Sequence, residues 1–414
     1  MPDTPLHIGI VGGGIVGICT ALALQEAGQR VTLIDRDPPG QATSFGNAGI
    51  ISPWSIVPQA MPGIWRKLPG MLLRPDGPAA VSLRHGPGYL PWLARFLRQS
   101  TPDRVRAASD AMHYLCADSI SLYRHHLGGT GHEDLIADAI YVHAFRDAAA
   151  ADLDAQGYRI RRDAGAQIEA IGTADLRDLE PDLAPDFKAA ILIRGQARAR
   201  DPGRLGTVLA EKIARLGGAV LRETVLDLRP IDRAWQVVTD ATTHRFDKVV
   251  IAAGVWSAEI LKRLGLRVPL AAERGYHVAY SETAARLNNS VMDVSAMAVA
   301  STMTGGLRVA GTAEFAGISS PPSPRRVRNL QRIAERMVPS LKGETFKSWM
   351  GIRPSFPDSL PLIQEFAQHP GLIGAFGHSH YGLMMAPKTG RIVADIVRRA
   401  RINMDQSAFG IERF

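Results

Sequence analysis

A glycine-rich stretch near the N-terminus constrains the fold more than any other feature. Residues 8–17 are uncharged, and the apolar residues at their start are typical of a buried parallel strand. The same stretch contains Gly12, Gly14 and Gly17 of a G-x-G-x-x-G motif. The first glycine permits a tight turn, the second lets the backbone approach a pyrophosphate, and the third lets the helix pack on the strand. An Ala/Leu-rich run follows and ends at Gly28, where a left-handed residue is favoured.

A second strand and an acidic residue complete this motif. The strand covers Val31 to Asp35, and Asp35 follows Gly17 by 18 residues. That spacing is close to the ~20 residues at which a carboxylate accepts from a ribose hydroxyl. The start of the helix offers N–H groups to phosphates. Strand, turn, helix, cap, strand and acid in this order predict a site for an adenine dinucleotide rather than an ordinary glycine-rich turn.

Composition predicts a folded protein of more than one domain. The chain has 414 residues, of which 46% are hydrophobic and 21% charged. The net charge of +8 favours binding to nucleic acid or to an anionic membrane only if the basic residues are clustered. Cys19 and Cys116 form no metal or redox motif, which predicts buried thiols in a reducing compartment and a cytoplasmic location. We expect no metal ion.

The uncharged run after Thr4 is not interpreted as a targeting or membrane segment. It extends to Gln25, contains five glycines and has no basic residue before it. No other span is long enough to cross a bilayer. A loop rich in glycine and hydroxylated residues follows Asp35 and reaches Ile51, and its backbone could run against a flat ring or a phosphate or form a simple coil.

Trp54 to Arg98 is rich in proline, tryptophan and basic residues. It contains Trp54, Trp65 and Trp92, and six basic residues against the single acid Asp76. We interpret the segment as a loop and short helices that cover the active site. A peripheral contact with the inner face of the cell membrane is the alternative, because aromatic and basic residues together suit a water–lipid interface.

The remaining pattern predicts alternating elements with no repeat or flexible linker. We expect helices at Thr101–Leu127, Ala148–Arg162, Asp201–Leu216, Pro324–Met337 and Thr389–Arg399, with Asp201 as an N-cap. Leu176 to Pro185 is predicted to be a turn-rich connector. Predicted strands cover Ile140–Phe145, Ala189–Ile193, Val220–Leu226, Phe246–Gly254, Val268–Tyr280 and Gly306–Thr312.

Two stretches near the C-terminus carry site chemistry. One runs from Trp349 to Pro361 and contains Gly351-Ile352-Arg353-Pro354. The other is a strand that leads through the turn Gly377-His378-Ser379-His380 into the last helix. Such a turn is a second place where helix N–H groups can face a ligand.

Together these motifs resemble the superfamily of D-amino-acid oxidase, glycine oxidase and sarcosine oxidase, and look most similar to bacterial D-amino-acid dehydrogenases. The resemblance covers nearly the whole chain. It implies non-covalent FAD and a cofactor site built from Gly12, Gly14, Ile15, Val16, Gly17, Asp35, Arg36, Thr43, Ser44, Asn47, Ala48, Gly49, Ile50, Val225, Ala253, Gly254, Trp256, Gly351, Gly377, His380, Tyr381, Gly382, Leu383 and Met384.

The resemblance also implies catalytic candidates. Arg353 occupies the position at which relatives pair an arginine with the substrate carboxylate, and the alternative is an ion pair with Asp358 that braces the loop. His380 is interpreted as a contact rather than a base. Tyr276 lies in a stretch that matches the family loosely, and it is carried as the third candidate.

The implied fold is α/β, with a Rossmann-like FAD-binding domain interleaved with an α+β substrate domain that has a mixed or antiparallel sheet. We expect the FAD-binding domain to comprise residues 1–53, 194–264 and 349–414, and the substrate domain residues 54–193 and 265–348.

Three functions follow from the resemblance and the charge. The first is FAD-dependent oxidation of a D-amino acid or a cyclic imino acid, with electrons passed to a quinone or carrier protein. The second is an oxygen-dependent glycine or sarcosine oxidase. The third is a basic membrane- or nucleic-acid-binding protein with a structural flavin, and we expect no nucleic-acid partner.

Overall fold

The fold is organised around three β-sheets. A computed structural model describes residues 4–73, 77–82, 84–402 and 405–414. In these ranges the chain forms a six-stranded sheet, a three-stranded antiparallel sheet and a ten-stranded sheet. Sequence-distant segments pair within each large sheet, so the two sheets are interleaved along the chain.

The six-stranded sheet has the predicted Rossmann-like character. Its strands are parallel except for one edge strand, which is antiparallel to its neighbour. Their spatial order is Leu362–Glu365, Leu372–Phe376, Lys248–Ile251, His7–Val11, Arg30–Asp35 and Ala219–Arg222. The central strand is fully apolar and buried from Ile8 to Val11, as a strand covered on both faces must be.

Helices cover this sheet and bury its apolar residues. Ile15–Glu26 packs against the C-terminal helix Gly382–Arg398 and against Pro202–Arg215. Leu22, Leu209 and Val393 lie in the resulting core with no exposed surface. The other described helices are Ile64–Leu73, Gly86–Arg98, Pro102–Cys116, Ser119–Leu127, Gln156–Asp163, Thr173–Leu179, Ser257–Arg263 and Pro324–Met337.

The ten-stranded sheet is mixed and mainly antiparallel. Its main path runs in the order Lys347–Ser355, Ala271–Tyr280, Gly306–Phe315, Ala298–Met303, Ser290–Asp293, Ile136–Phe145, Ala189–Ala199 and Ile50–Ile51. Two further strands, Ala79–Val81 and Ile168–Gly172, pair off this path. The helix Pro324–Met337 packs on it and contributes Leu330 to a second core. The three-stranded sheet comprises Val225–Ile231, Ala234–Thr239 and Thr243–Phe246.

The boundary between the two large sheets differs from the predicted domain boundaries in three places. Strand Ile50–Ile51 pairs with Ala189–Ala199 in the ten-stranded sheet, although residues 1–53 were predicted to belong to the FAD-binding domain. Strand Lys347–Ser355 pairs with Ala271–Tyr280, although residue 349 was the predicted return to the FAD-binding domain. Strand Ala189–Ala199 belongs to the same sheet, although the boundary was placed at 194. The division into domains stays a prediction, with these strands assigned to the ten-stranded sheet.

Several element predictions are confirmed. Pro324–Met337 is a helix with the predicted bounds. Asp201 accepts the Arg204 N–H at 2.9 Å, which is the expected N-cap. Gly28 has φ of +79°, as a residue after a helix end requires. Lys248–Ile251 joins the first sheet beside its central strand, and the strands at 271–280 and 306–315 pair antiparallel.

Two helix predictions are wrong in their bounds. The predicted helix Thr101–Leu127 is two helices that break at Asp118, whose carboxylate binds Lys388 at 2.8 Å. The predicted helix Ala148–Arg162 begins only at Gln156. Before it, the carboxylates of Asp147 and Asp152 accept nearby backbone N–H groups and compete with helix formation.

Three boundaries also shift. Val220–Leu226 is divided between two sheets, because the chain leaves the first sheet after Arg222 and enters the three-stranded sheet at Val225. The connector from Leu176 contains the end of a helix, Thr173–Leu179. The last helix begins at Gly382 rather than Thr389. None of the helices in the described ranges is long and apolar enough to span a bilayer.

Candidate active site

One large cavity, of about 1150 Å³, joins the motifs from the start, middle and end of the chain. All the predicted site residues line it except Gly17 and Gly49. The segment from Trp54 to Arg98, called the lid below, contributes Gln59, Ile64, Tyr89 and Trp92 to the lining. The ends of the parallel strands and several adjacent strands of the ten-stranded sheet therefore border a common space, as expected for a cofactor site that adjoins a substrate site.

The glycine turn is required by packing at two of its positions. Gly12 has φ of +116°, and a Cβ there would lie 2.4 Å from the Ala252 oxygen. A Cβ at Gly17 would lie 1.9 Å from the Gly12 oxygen. A Cβ at Gly14 would meet only Ser44 Oγ, at 3.6 Å, so the chain itself leaves that position open. The space beside Gly14 belongs to the cavity, which fits the close approach of a pyrophosphate.

Backbone N–H groups at this turn are available to an anion. Among the described residues, those of Gly14 and Val16 have no acceptor, whereas Ser44 Oγ accepts from Ile15 N at 3.0 Å. Asp35 accepts from Gly13 N at 2.5 Å and from Asp37 N at 2.9 Å. Asp35 thus braces the glycine turn while it lines the cavity, and its contact with a ribose remains a prediction.

The adenine half of the predicted site forms a separate wall. Val225, Ala253 and Gly254 line the cavity close to the ends of their strands. The Arg36 guanidinium lies over the Trp256 ring, 4.2 Å from its centroid. This cation–π contact fixes both side chains beside the cavity.

The loop from Thr43 to Ile50 is held by specific contacts. Thr43 Oγ1 donates to the Ile352 oxygen at 2.9 Å, and Asn47 Oδ1 accepts from Gly49 N at 2.8 Å. Gly49 does not line the cavity. It has φ of +81°, and its Cβ would lie 2.6 Å from the Ala199 oxygen. Packing against the ten-stranded sheet therefore explains this glycine, and most of the other loop residues line the cavity.

The turn before the last helix faces the same space. Gly377 has φ of +88°, and Tyr381 N donates to the His378 oxygen at 2.9 Å. Among the described residues, the N–H groups of Gly382 and Leu383 at the start of the helix have no acceptor. They are thus free to meet electron-rich ligand atoms, which the helix dipole also favours.

Arg353 lies in the cavity wall and is paired with an acid that the sequence did not reveal. Arg353 and Glu273 are directly opposite each other on adjacent antiparallel strands, and Nη1 donates to Glu273 Oε1 at 2.8 Å and to the Thr312 oxygen at 3.2 Å. Ser355 Oγ donates to Glu273 Oε2 at 2.7 Å. The Nε and Nη2 edge of Arg353 has no partner among the described residues, so two parallel donors remain available.

The ion pair also governs the charge of Glu273. Burial works to raise the pKa of this carboxyl group, but the Arg353 charge and the Ser355 hydroxyl hold the pKa below its usual value. Glu273 is therefore ionised at neutral pH. Gly275 makes room for the guanidinium, because a Cβ there would lie 2.1 Å from Arg353 Nη2.

The alternative pairing of Arg353 with Asp358 is wrong. Asp358 Oδ2 instead accepts from Arg413 Nε at 2.7 Å, and Arg413 Nη2 also donates to the Leu360 oxygen. The C-terminal segment thus braces the loop after Pro354. This leaves Arg353 to the cavity.

His380 is half-buried and uncharged at neutral pH. Gln59 Nε2 lies 3.0 Å from His380 Nδ1, so Nδ1 is the acceptor and the ring proton lies on Nε2. Burial lowers the pKa of His380 to about 4, although the Glu273 carboxylate works in the opposite direction. The ring lies against Tyr381, with centroids 4.0 Å apart and the ring planes tilted by 39°. These contacts fit a neutral hydrogen-bonding residue that links the lid to the turn.

Tyr276 lines the cavity, but its hydroxyl is already engaged. It donates to Glu314 Oε2 at 2.5 Å and accepts from Ser323 N at 3.1 Å. Burial, followed by the bond to Glu314, raises the pKa of Tyr276 to about 12. Its role towards a substrate remains a prediction, and in this arrangement the hydroxyl is a fixed neutral group.

Sequence reasoning missed part of the site. Glu273 pairs with Arg353 only through the strand register, and Gln59 reaches His380 from a lid whose path the sequence does not fix. Arg161, Tyr141 and His143 also line the cavity from distant parts of the chain. Only Glu273 had a local signal, because it lies within the family-like stretch that contains Tyr276.

The cavity joins a dinucleotide-binding turn to a second sheet, as in an oxidoreductase, and the comparisons identify the cofactor class as flavin. The sequence profile of the family described as FAD dependent oxidoreductase (DAO) matches residues 7–396. A D-amino-acid oxidase from Bradyrhizobium diazoefficiens is 35% identical over 99% of both chains. A D-amino acid dehydrogenase from the same organism is 29% identical over 98% of both chains.

The protein therefore belongs to the DAO family of FAD-dependent oxidoreductases. The fold is also that of glycine oxidase from Geobacillus kaustophilus, with a TM-score of 0.76, 23% identity and 99% of both chains covered. The cavity residues of the present protein fit FAD. Among the described residues, only Ser44 Oγ lies within 4 Å of a Cβ placed at Gly14, and N–H groups without acceptors occur both at the glycine turn and at the start of the last helix. The prediction that the cofactor is FAD is confirmed by the family to which the chain belongs.

Proposed function

We propose that the protein oxidises D-amino acids, or cyclic imino acids of the D-proline type, to the corresponding imines. The observation that supports this most is the free Nε and Nη2 edge of Arg353 in a cavity that also contains the dinucleotide motifs. The similarity to relatives named D-amino-acid oxidase and D-amino acid dehydrogenase supports the same substrate class.

In this proposal Arg353 binds the substrate carboxylate by two parallel hydrogen bonds, a geometry that suits the guanidinium. Glu273 and Gly275 hold the guanidinium in place. Bound FAD supplies the acceptor for the hydride that leaves the α-carbon. Neutral His380 orients groups by hydrogen bonding and is not the base, and the lid excludes water from the cavity.

Anaerobic mixing with single amino acids tests the proposed reaction. We expect D-amino acids to bleach the bound flavin, and their L-enantiomers to bleach it far more slowly, because a site that positions the carboxylate, the amine and the side chain together presents the α-hydrogen of only one enantiomer to the flavin. The measurement is the flavin absorbance over time. No bleaching by any amino or imino acid would leave the protein without the proposed activity.

The proposed electron acceptor is a quinone or a carrier protein rather than oxygen. The second candidate is an oxygen-dependent oxidase, which the name of the 35% identical relative favours. Peroxide yield in air separates the two. We expect much less than one peroxide per substrate oxidised in air, and faster turnover when a soluble quinone is added. One peroxide per turnover with no quinone effect would favour the oxidase.

We also propose that the lid touches an anionic membrane. Trp65 is 58% exposed, with Arg66 over its ring at 5.0 Å, and Leu90 is 62% exposed. Lys67 and Leu90 line the cavity mouth, so this surface adjoins the site. The lid interpretation accounts for Trp92, which is buried and donates to the Ser355 oxygen at 3.0 Å. Arg74 and Asp76, which were part of the sequence argument, lie outside the described residues.

Sedimentation with vesicles tests the membrane proposal. Anionic vesicles should carry the protein down at low salt and release it at high salt, because exposed charges are screened. Trp65→Ser with Arg66→Glu should weaken this binding. Leu216→Ser, which changes another exposed apolar residue, should not. If the parent protein stays in solution with anionic vesicles at low salt, the lid only covers the site.

A further inference from the structure

A second arginine in the cavity has no acidic partner. Arg161 lies on the helix Gln156–Asp163, and Nε donates to the Trp54 oxygen at 3.0 Å while Nη1 donates to the Gly157 oxygen at 3.0 Å. Nη2 has no hydrogen bond within the described part of the chain, and Arg161 lines the cavity. Its charge is therefore uncompensated, whereas the charge of Arg353 is balanced by Glu273.

Uncharged polar side chains surround Arg161. Tyr141 and His143 also line the cavity, and within the described residues the Tyr141 hydroxyl donates only to Met292 Sδ, a weak acceptor, at 3.3 Å. His143 Nδ1 is 2.8 Å from the Tyr158 hydroxyl, and Nε2 is buried and has no partner in the described part of the chain. Burial, reinforced by the Arg161 charge, lowers the pKa of His143 to about 3, so the ring adds no charge.

This wall lies on the flavin side of the cavity. Trp54 O binds Arg161, and three residues later the Val57 oxygen accepts from the Tyr381 hydroxyl at 2.9 Å. Tyr381 immediately precedes the last helix, and its ring contacts the His380 ring. The adenine wall, with Arg36 and Trp256, is built from other elements. A ligand held by Arg161 would therefore lie beside the substrate rather than beside the adenine.

A purely structural role explains only part of this arrangement. Arg326 also binds two backbone oxygens, those of Gly77 and Ala79, and it has no cavity-lining surface. Arg161 holds two carbonyls in the same way, but it also lines the cavity and keeps Nη2 without an acceptor among the described residues. A buried cation without a counter-ion is costly unless an anion joins it.

We propose that Arg161, assisted by Tyr141, binds a second carboxylate carried by the substrate side chain. This inference rests on the proposed function, in which Arg353 takes the α-carboxylate, and it names the substrate class as acidic D-amino acids such as D-glutamate and its homologues. Tyr141 donates its hydroxyl to the side-chain carboxylate, and Arg161 supplies the charge-assisted bond.

Calorimetry on the flavin-bound enzyme tests the subsite without turnover. The probes are glutarate and its monoamide, which differ by one negative charge. We expect the parent to bind glutarate at least about 10-fold more tightly, the effect of one hydrogen bond to a charged group. Arg161→Met should abolish the difference and Arg326→Met should preserve it. Equal binding of the two probes by the parent, or an unchanged preference in Arg161→Met, would overturn the proposal.

Turnover separates this proposal from the proposed function. The kcat/KM for D-glutamate should exceed that for D-glutamine in the parent, and the ratio should collapse in Arg161→Met. Oxidation of D-amino acids with no preference for D-glutamate would overturn the subsite and keep the function. Preference for glutarate in calorimetry without any amino-acid oxidation would keep the subsite and overturn the proposed function. Loss of flavin from Arg161→Met would assign the residue to the cofactor and overturn the subsite.

Discussion

Replacement of Arg353 by alanine should reduce kcat/KM for carboxylate substrates by roughly 10- to 150-fold, because a hydrogen bond to a charged group is worth ~1.5–3 kcal/mol. The kcat/KM of Arg353→Lys should be reduced by a factor in the same range, since lysine keeps the charge but cannot donate two parallel hydrogen bonds from a planar group. Amines that lack the carboxylate should be affected much less. The measurement is steady-state kinetics with an amino acid and its decarboxylated amine, together with flavin content, which should hardly change.

The partner of Arg353 complicates this variant, and two further variants resolve the problem. Removing one partner of a buried ion pair leaves the other uncompensated at a cost of about 3–5 kcal/mol in stability. Glu273→Gln combined with Arg353→Met removes both charges and should keep the fold while it loses carboxylate binding. Gly275→Ala should displace the guanidinium and lower kcat/KM with Arg353 still present.

Arg413→Ala is the matched control for these substitutions. Arg413 forms a comparable buried ion pair with Asp358 at 2.7 Å but does not line the cavity. It should lower the thermal midpoint without changing the ratio of amino-acid to amine turnover. If the Glu273→Gln/Arg353→Met protein folded, held its flavin and oxidised amino acids as well as the parent, Arg353 would not bind the carboxylate.

Gly14→Ala should raise the Kd for FAD by at least about tenfold, or ~1.4 kcal/mol. The chain leaves the Gly14 position open, with Ser44 Oγ as the nearest group at 3.6 Å, so an added methyl group meets the cofactor rather than the protein. The apoprotein should therefore keep the stability of the parent apoprotein. The measurements are FAD titration by flavin fluorescence and thermal unfolding of the apoproteins.

Two other glycines provide the comparison. Gly17→Ala would bring a methyl group within 1.9 Å of the Gly12 oxygen, so this variant should be unstable even without FAD. Gly305→Ala adds a methyl group to an exposed position with open space, and it should change neither the FAD affinity nor the stability of the apoprotein. Unchanged FAD affinity in a folded Gly14→Ala protein would refute the assignment of Gly14 to the pyrophosphate.

Local chemistry explains which elements were predictable from the sequence. The glycine turn, the Asp201 N-cap and the helix Pro324–Met337 depend on signals within a few residues, and the structure has each of them. Two helices meet at residues 117 and 118, where the sequence has neither glycine nor proline, and Asp118 pairs with Lys388, which is 270 residues away. A contact between such distant residues leaves no local pattern, so the sequence suggested one continuous helix.

The same distinction applies to the candidate site. Arg353 was found because its neighbours form a recognisable motif, but Glu273 became its partner through the register of two strands that are 80 residues apart. Arg161 lies in a helix whose start was predicted eight residues too early, and its approach to Trp54 depends on how the lid folds back. Residues that contribute single side chains from distant elements require the structure.

The central claim is that this cavity holds the α-carbon of an amino acid against bound flavin so that its C–H bond breaks in the flavin-reducing step. Rapid anaerobic mixing with a D-amino acid and with its α-deuterated form tests this claim most directly. We expect the deuterated substrate to bleach the flavin several-fold more slowly at saturating concentration, an effect that corresponds to about 1 kcal/mol in the barrier. Equal bleaching rates, or no bleaching by either form, would contradict the account.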